Sequence, residues 1–463
     1  MRERLAEIVG EENFKDSKVN LLTYSYDAST QYQALPDAVI SPRNTQEISE
    51  IVKICNEYKI PIIPRGSGTN LAAGTCPTSG GIVLVFNHMN KIIEIDESNL
   101  TITVQPGVIT QTLINEVEKR GLFYPPDPSS MKISTIGGNL SENSGGLRGL
   151  KYGVTRDYVL GLEVVLPNGD IIRTGGKLAK DVAGYDLTRL FVGSEGTLGI
   201  ITEATLKLIP KPEYKKTMLA QYDSIEAAAQ TVSAIIANKI IPATLEFLDK
   251  STLQVVEDFA KIGLPTDVEA VLLIEQDGSK EVVERDIAKI EKICKQEKAI
   301  KVEVANSEEH AYKLKEARRT ALSALARLKP TTILEDATVP RSEIANMVKA
   351  INEIANKYNV KICTFGHAGD GNLHPTCVTD IRDEDEMKRV EQAFDEIFKK
   401  AISFGGTITG EHGVGEVKAP YLEMKLGKAG IEIMKRLKET FDPNQIMNPG
   451  KIFAKDTRKR VVT

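Results

Sequence analysis

The sequence predicts an α+β protein in which a glycine-rich first half and C-terminal end enclose a glycine-poor, helix-rich middle. Three observations carry this reading. Strand-like and helix-like apolar patterns alternate from Asp37 to about Arg120. After Pro210-Lys211-Pro212 glycine thins, and helical patterns rich in Lys and Glu dominate to about Ser403. Glycine then returns at Gly405–Gly415. The expected domains are therefore 1–212, in two α+β subdomains meeting near residue 95, then 213–404, then a C-terminal segment over 405–463.

The elements follow in order. Asp37–Ser41 reads as a short strand. Asn44 stands three residues before Glu47, a capping-box-like helix start. Ile48, Ile51, Val52 and Cys55 follow at i, i+3, i+4 and i+7, the stripe of an amphipathic helix. Ile60–Pro64 is a second strand and runs into the turn Arg65-Gly66-Ser67-Gly68-Thr69-Asn70, completing a βαβ unit. Ile82–Phe86, Ile92–Ile95 and Thr101–Val104 read as strands, and Thr110–Arg120 as a helix. A segment dense in turn formers spans Tyr124–Gly153. Two strands meet at Pro167-Asn168-Gly169-Asp170, where Asn-Gly is the hairpin signal. Lys361–Phe365 and Leu373–Val378 are β-like runs, and Ile431–Phe441 is helical.

Composition excludes several classes. The 463 residues are 41% apolar and 27% charged, enough for a sizeable core. A net charge of −5 argues against a general nucleic-acid binder. The charged start Met1–Glu7 lacks the apolar region of a secretory signal. The longest near-apolar stretch, around Tyr158–Pro167, contains Glu163. It falls far short of the ~20 residues of a spanning helix, so no integral membrane segment is expected. The five cysteines, Cys55, Cys76, Cys294, Cys363 and Cys377, are scattered and form no C-x-x-C pair. That argues against a disulfide framework and against an iron–sulfur cluster held by this chain alone. The expected setting is a reduced cytoplasm.

Five motifs carry chemistry. Pro64–Gly74 exposes consecutive backbone N–H groups that can wrap a phosphate, with Arg65 adding charge. It departs from G-x-G-x-x-G at Leu71, and alone it fits a plain tight turn equally well. Gly137–Gly153 reads as an extended lining of backbone donors suited to a long ligand with a central pyrophosphate. Phe365–Pro375 holds His367, Asp370-Gly371 and His374; a two-residue turn at Asp370-Gly371 sets the two histidines directly opposite each other. Opposed Cβ atoms lie ~4.5–5.5 Å apart, close enough to share one divalent metal. Gly410–Gly415 places Glu411 beside His412; Glu411 can complete a His-His-Glu set, leaving His412 as a base. Imidazole plus carboxylate suits Zn, Fe, Mn or Co. In Lys315–Arg319, Arg318 and Arg319 point about 100° apart on a helix, so one can bind a substrate carboxylate while the other is solvated. His88 and His310 read as surface or structural histidines.

Taken together, these residues resemble the FAD-linked oxidases of the vanillyl-alcohol-oxidase type. The resemblance rests on Pro64–Thr69, Pro125-Pro126-Asp127-Pro128, Gly137-Gly138-Asn139, Asp181–Leu187 and Val192–Ile200. The C-terminal half resembles the D-2-hydroxyacid dehydrogenase branch, through G-H-x-G-D-G-N-x-H at 366–374, G-E-H-G-x-G at 410–415 and the ending Met447–Lys451. It implies an FAD domain built from the first half plus the tail, with a substrate (cap) domain between. It implies FAD contacts at Arg65, Gly66, Ser67, Gly68, Thr69 and Asn70, and at Pro126, Asp127 and Ser129. Further contacts are implied at Gly137, Gly138, Asn139, Ser144, Gly145, Gly146 and Gly153, and at Glu195, Gly199, Ile200 and Asn448. No histidine lies in these loops, so the FAD is expected to be non-covalent.

The resemblance also implies His367, His374 and Glu411 as ligands of a divalent metal (Zn, Fe or Mn). Arg318 would bind the substrate carboxylate and His412 would be the catalytic base. Hydroxyglutarate-specific members carry Asn where this chain has Thr376, and Lys where it has Leu334, which favours a small monocarboxylate. The expected activity is oxidation of a small D-2-hydroxy acid, D-lactate first and glycolate next, to the 2-oxo acid. The alternatives are a D-2-hydroxyglutarate-type dehydrogenase, a metal hydrolase were no flavin bound, and an electron-relay subunit. The expected acceptor is external: an electron-transfer flavoprotein, an iron–sulfur subunit or a quinone. A partner of this kind could also hold the protein at a membrane surface.

Overall fold

The computed structural model describes residues 1–453; residues 454–463, the end of the expected C-terminal segment, lie outside the described residues. Two compact units form. The first comprises Met1–Ser144, Val154–Lys211 and the chain from Glu411; the second comprises Gly145–Gly153 and Pro212–Gly410.

Among the described residues the first unit holds three sheets. In one, β1 (Phe14–Lys15), β2 (Ala38–Ile40), β3 (Ile62–Arg65) and β4 (Ile82–Val85) take the order β1-β2-β4-β3. β4 pairs in parallel with both β2 and β3, so the helix Thr45–Tyr58 crosses over between strands that flank β4. That helix starts where the sequence places it: the Asn44 side chain accepts from the Glu47 N–H at 2.9 Å. Its Ile48, Ile51, Val52 and Cys55 stripe is buried with Ile40, Ile62 and Leu84 in the unit's core. Burying such side chains, at ~1.5–3 kcal/mol each, fixes the helix on the sheet.

The second sheet contains β5 (Ile92–Asp96), β6 (Thr101–Val104), β8 (Val159–Val165), β9 (Ile171–Gly175) and β10 (Ile200–Lys207) in the order β5-β6-β10-β8-β9. The hairpin at 167–170 forms, with Gly169 at φ +85°, a conformation glycine adopts without steric cost. The short strands β7 (Leu122–Phe123) and β11 (Ile209–Pro210) pair separately.

Two expectations are corrected here. Gly137–Gly153 is not one continuous loop: Ile136–Glu142 is a helix capped by Thr135, and Gly149–Tyr152 is a short helix in the second unit. Glycine and serine content hid a helix whose Ile136 and Leu140 are fully buried, and tertiary burial overrode weak propensity. The last helix begins at Leu422 rather than Ile431 and is kinked at Gly427, which leaves helical geometry at φ +68°.

The second unit is a mixed layer structure on an eight-stranded sheet. Its strands are β12 (Tyr214–Tyr222), β13 (Thr244–Asp249), β14 (Ala270–Gly278), β15 (Lys301–Val304), β16 (Thr331–Leu334), β17 (Ala337–Thr338), β18 (Ile362–His367) and β19 (Asn372–Thr379). The order is β15-β12-β14-β13-β18-β19-β16, with β17 also on β19. Helices Lys250–Ala260, Glu308–Arg319 and Ala321–Leu325 pack on the face carrying Leu219, Leu248, Leu273 and Phe365. That packing aims Arg318 at the sheet, at the end where β13, β18 and β19 meet.

Candidate active site

The histidine pair is real, but its register differs from expectation. Phe365 pairs with His374, Gly366 with Leu373 and His367 with Asn372, so Ala368–Gly371 form a longer loop and Asp370-Gly371 is not a two-residue turn. The Gly371 N–H donates to the His367 carbonyl at 3.1 Å, which closes that loop. His367 and His374 are therefore diagonal, not directly opposed. Because strand side chains alternate faces, the two-residue offset keeps both rings on one face. Their centroids lie 5.1 Å apart and the planes meet at 89°. Both residues are buried.

β13 lies beside β18, with Phe247 opposite Gly366, and this register brings Glu246 to His367. Glu246 is completely buried; its Oε1 lies 2.8 Å from His367 Nδ1. Its Oε2 lies 2.7 Å from Arg318 Nε, an ion pair whose N–H does not point straight at the oxygen. The Arg318 guanidinium also stacks on Phe365, 4.6 Å from the ring centroid. Arg318 is 3% exposed, whereas Arg319 is half-buried, so the helix separates the two arginines as their spacing requires.

Glu411 directly follows Gly410, the last residue of the second unit. Gly410 is anchored: its N–H donates to Asp336 Oδ1 at 2.7 Å, and Thr409 Oγ1 donates to Asp336 Oδ2 at 2.9 Å. Asp336, itself fully buried, also accepts from Asn372 Nδ2, and Asn372 Nδ2 lies 2.8 Å from Thr338 Oγ1. Within the second unit His367 and His374 each offer one ligand atom on the same face. Two imidazoles so placed fit a divalent metal that takes further ligands beside them. His412 follows, its Nε2 3.8 Å from Glu411 Oε1, with both side chains mostly buried.

In the first unit the remaining motifs converge. Arg65 ends β3, and its buried guanidinium lies over Tyr24 and donates to Thr75 Oγ1 at 3.2 Å. Gly68 turns the loop at φ +71°. The Ser67 hydroxyl donates to the Ile133 carbonyl. Asn70 Oδ1 accepts from the Gly74 N–H at 2.6 Å and from the Ala72 N–H at 2.9 Å, and its Nδ2 donates to Glu142 at 2.7 Å. Glu195 Oε1 and Oε2 accept from the Val414 and Gly415 N–H groups at 2.7 and 2.6 Å. Asn448 Nδ2 donates to the Gly74 and Glu195 carbonyls at 2.9 and 2.7 Å.

The Asn448 Oδ1 is buried and accepts no hydrogen bond from the described residues. A buried orphan acceptor beside a glycine-turned loop fits a ligand that donates there. Burial pushes the Glu142 and Glu195 carboxyls above their ordinary range; the Glu195 charge raises Glu142 further.

Pro126, Asp127 and Ser129 lie outside any helix or strand, with Asp127 buried; Gly199 precedes β10 and Ile200 opens it. Gly145, Gly146 and Gly153 fall in the second unit instead. Among the other histidines, His88 Nε2 meets Asn13 Oδ1 at 2.9 Å, and His310 opens the helix capped by Ser307. Sequence reading missed Glu246 and Asp336. The available signal was a carboxylate inside an apolar run, Thr244-Leu-Glu-Phe-Leu-Asp249, where an unpaired charge is costly.

Two family models match the chain: the FAD binding domain over residues 36–175, and the C-terminal domain of FAD linked oxidases over residues 211–452. The glycolate oxidase subunit GlcD of Bacillus subtilis is 75% identical over 100% of this chain and 98% of its own length. A D-lactate dehydrogenase of Anaerostipes hadrus is 39% identical over 93% of each chain. The crystal structure of p-cresol methylhydroxylase with substrate bound superposes with a TM-score of 0.82 at 19% identity, covering 99% of this chain and 97% of that one. Among the described residues no helix is long and apolar enough to cross a membrane. The chain therefore belongs to the FAD-linked oxidases, with the fold of the vanillyl-alcohol-oxidase type.

Proposed function

We propose that this protein oxidises a small 2-hydroxy monocarboxylate, glycolate or D-lactate, to the 2-oxo acid and passes the electrons to an external acceptor. The observation that carries the reading is the buried cluster on β13, β18 and β19. Two histidines share a face with an arginine whose guanidinium is held at their edge. The names of the 75% and 39% identical relatives supply the two candidate substrates. Leu334 pairs with Thr376 across β16 and β19, on the same face as His374. Neither side chain carries a charge, so this part of the face offers no cation to a second substrate carboxylate.

In this reading Arg318 binds and orients the substrate carboxylate, and His367, His374 and Glu411 hold the metal. When bound, FAD would accept the Cα hydrogen with its two electrons, and the metal would supply Lewis acidity at the hydroxyl. His412 takes the hydroxyl proton at Nε2, the nitrogen facing Glu411. FAD is held without a covalent bond by the loops from Arg65 to Asn70, at Glu195 and at Asn448. Cys76 is a poor linkage point: it is fully buried, and burial pushes its thiol up to about 12. The scattered cysteines argue against an iron–sulfur cluster held by this chain alone, which supports an external acceptor. The test is an anaerobic visible spectrum of the purified protein titrated with glycolate and with D-lactate. A flavin spectrum that bleaches with either supports the proposal. A flavin spectrum that persists with both, in metal-replete protein, overturns it.

A further inference from the structure

Glu246 reaches both halves of the proposed site. It is fully buried on β13, with one oxygen on His367 Nδ1 at 2.8 Å and the other against Arg318 Nε at 2.7 Å. No sequence motif singled it out. We infer that Glu246 is a positioning residue that couples metal binding to recognition of the substrate carboxylate.

A carboxylate on Nδ1 fixes the imidazole so that Nδ1 carries the proton and Nε2 keeps its lone pair; it also makes that nitrogen a stronger donor to a metal. A carboxylate at Arg318 Nε occupies the inner edge of the guanidinium and leaves the two Nη groups for a ligand carboxylate. Phe365 beneath the guanidinium plane removes the remaining freedom to rotate. One buried group thereby fixes the orientation of both the metal ligand and the anion binder. Being completely buried, Glu246 has no water to take over either contact.

The inference rests on the proposed roles of His367 and Arg318, and the experiment separates the two levels. Purified flavin-loaded protein is stripped with a chelator and titrated with Zn²⁺ against a competing dye. Flavin content serves as the check on folding. In Glu246→Gln the Zn²⁺ affinity is expected to fall about 10–100-fold, the usual effect of losing an outer partner of a metal-bound histidine. KM for the 2-hydroxy acid is expected to rise. In Arg318→Met, which breaks the same buried pair from the other side, Zn²⁺ affinity is expected to be no weaker than in the parent. A purely structural pair would lose affinity equally in both variants, and that result overturns the inference. So does unchanged Zn²⁺ affinity in Glu246→Gln. Should that variant not accumulate, Glu246→Asp keeps the charge but withdraws it by one methylene. Weaker Zn²⁺ binding is again expected, and parental binding refutes the role. A parent protein that takes up no Zn²⁺ removes the metal reading itself, and this inference with it.

Discussion

Gly410→Ala tests whether the Asp336 anchor of Gly410 sets the position of Glu411, the residue that follows it in the chain. Gly410 has ordinary backbone angles, so the change adds only a methyl group. That methyl would sit 2.6 Å from Asn372 Nδ2 and 2.9 Å from Asn372 Cγ, and closer still to Thr338 Oγ1. Ordinary contact begins at 3.4 Å, so clearing Asn372 alone takes about 0.8 Å and clearing Thr338 takes more. The obstacles cannot simply rotate away. Asn372 Nδ2 is held by Asp336 and by Thr338 Oγ1, and Asp336 also holds the Gly410 N–H. The displacement therefore passes to Glu411, the next residue. Overpacking of this kind costs about 1–3 kcal/mol. A misplacement of about 1 Å at a reacting centre can cost about 100-fold in rate. The expected result is a flavin-loaded, folded protein with weaker Zn²⁺ binding and kcat/KM lowered about 100-fold. Steady-state turnover with glycolate or D-lactate, read beside Zn²⁺ content, measures it. Parental metal content and turnover would refute the claim that the Asp336 anchor sets the position of Glu411.

Two further outcomes follow from the same geometry. His412→Ala is expected to keep FAD and metal while turnover falls about 10²–10⁴-fold, as for loss of a general base; near-parental turnover would remove His412 from the mechanism. Burial, and next the Glu195 charge, hold the Glu142 carboxyl well above its ordinary 4.5. A carboxyl raised in the folded state adds stability that is fully present below pH 4.5 and is lost as pH rises through the folded value. Melting followed by flavin fluorescence should therefore show a lower Tm at about pH 8 than at about pH 5. Glu142→Gln should narrow that difference, and an unchanged difference would show that Glu142 is not its source.

Sequence reading went furthest where one local rule decides the outcome. The Asn44 cap and the stripe at Ile48, Ile51, Val52 and Cys55 fix a helix because capping and burial agree there. The 167–170 hairpin formed because Asn-Gly supplies the left-handed conformation it needs. Reading failed where tertiary contacts outweigh local preference. At Asp370-Gly371 the two-residue signal lost to the loop Ala368–Gly371. A longer loop lets Gly369 meet the Leu245 carbonyl at 3.0 Å and lets Val339 donate to Gly371 at 3.0 Å. The face of the two histidines survived the error because the register moved by an even number of residues. At Ile136–Glu142 the glycines concealed a helix held by Thr135 and by burial of Ile136 and Leu140. Glu246 and Asp336 stayed hidden for a different reason. Each lies in or beside an apolar strand with a second acidic residue close by, Asp249 near Glu246 and Glu335 before Asp336, and only the pairing of β13 with β18 and of β17 with β19 shows which of them holds the site.

These two carboxylates explain why the second unit can hold a reactive cluster in a nearly dry place. A buried carboxylate is costly unless its oxygens are met by donors, and removing one partner from such a pair typically costs about 3–5 kcal/mol. Asp336 meets this condition with the Gly410 N–H, Thr409 and Asn372; Glu246 meets it with His367 on one oxygen and with the charge of Arg318 on the other. In both cases the partners are themselves site residues or their immediate neighbours. The stability of the fold and the order of the site then depend on the same contacts, so a substitution that loosens the site also exposes a buried charge to an apolar interior. This dependence accounts for the placement of Glu246, His367 and His374 on adjacent strands, while Glu411 and His412 stand on a loop. β13, β18 and β19 fix the relative heights of Glu246, His367 and His374 through backbone pairing, before any ligand arrives.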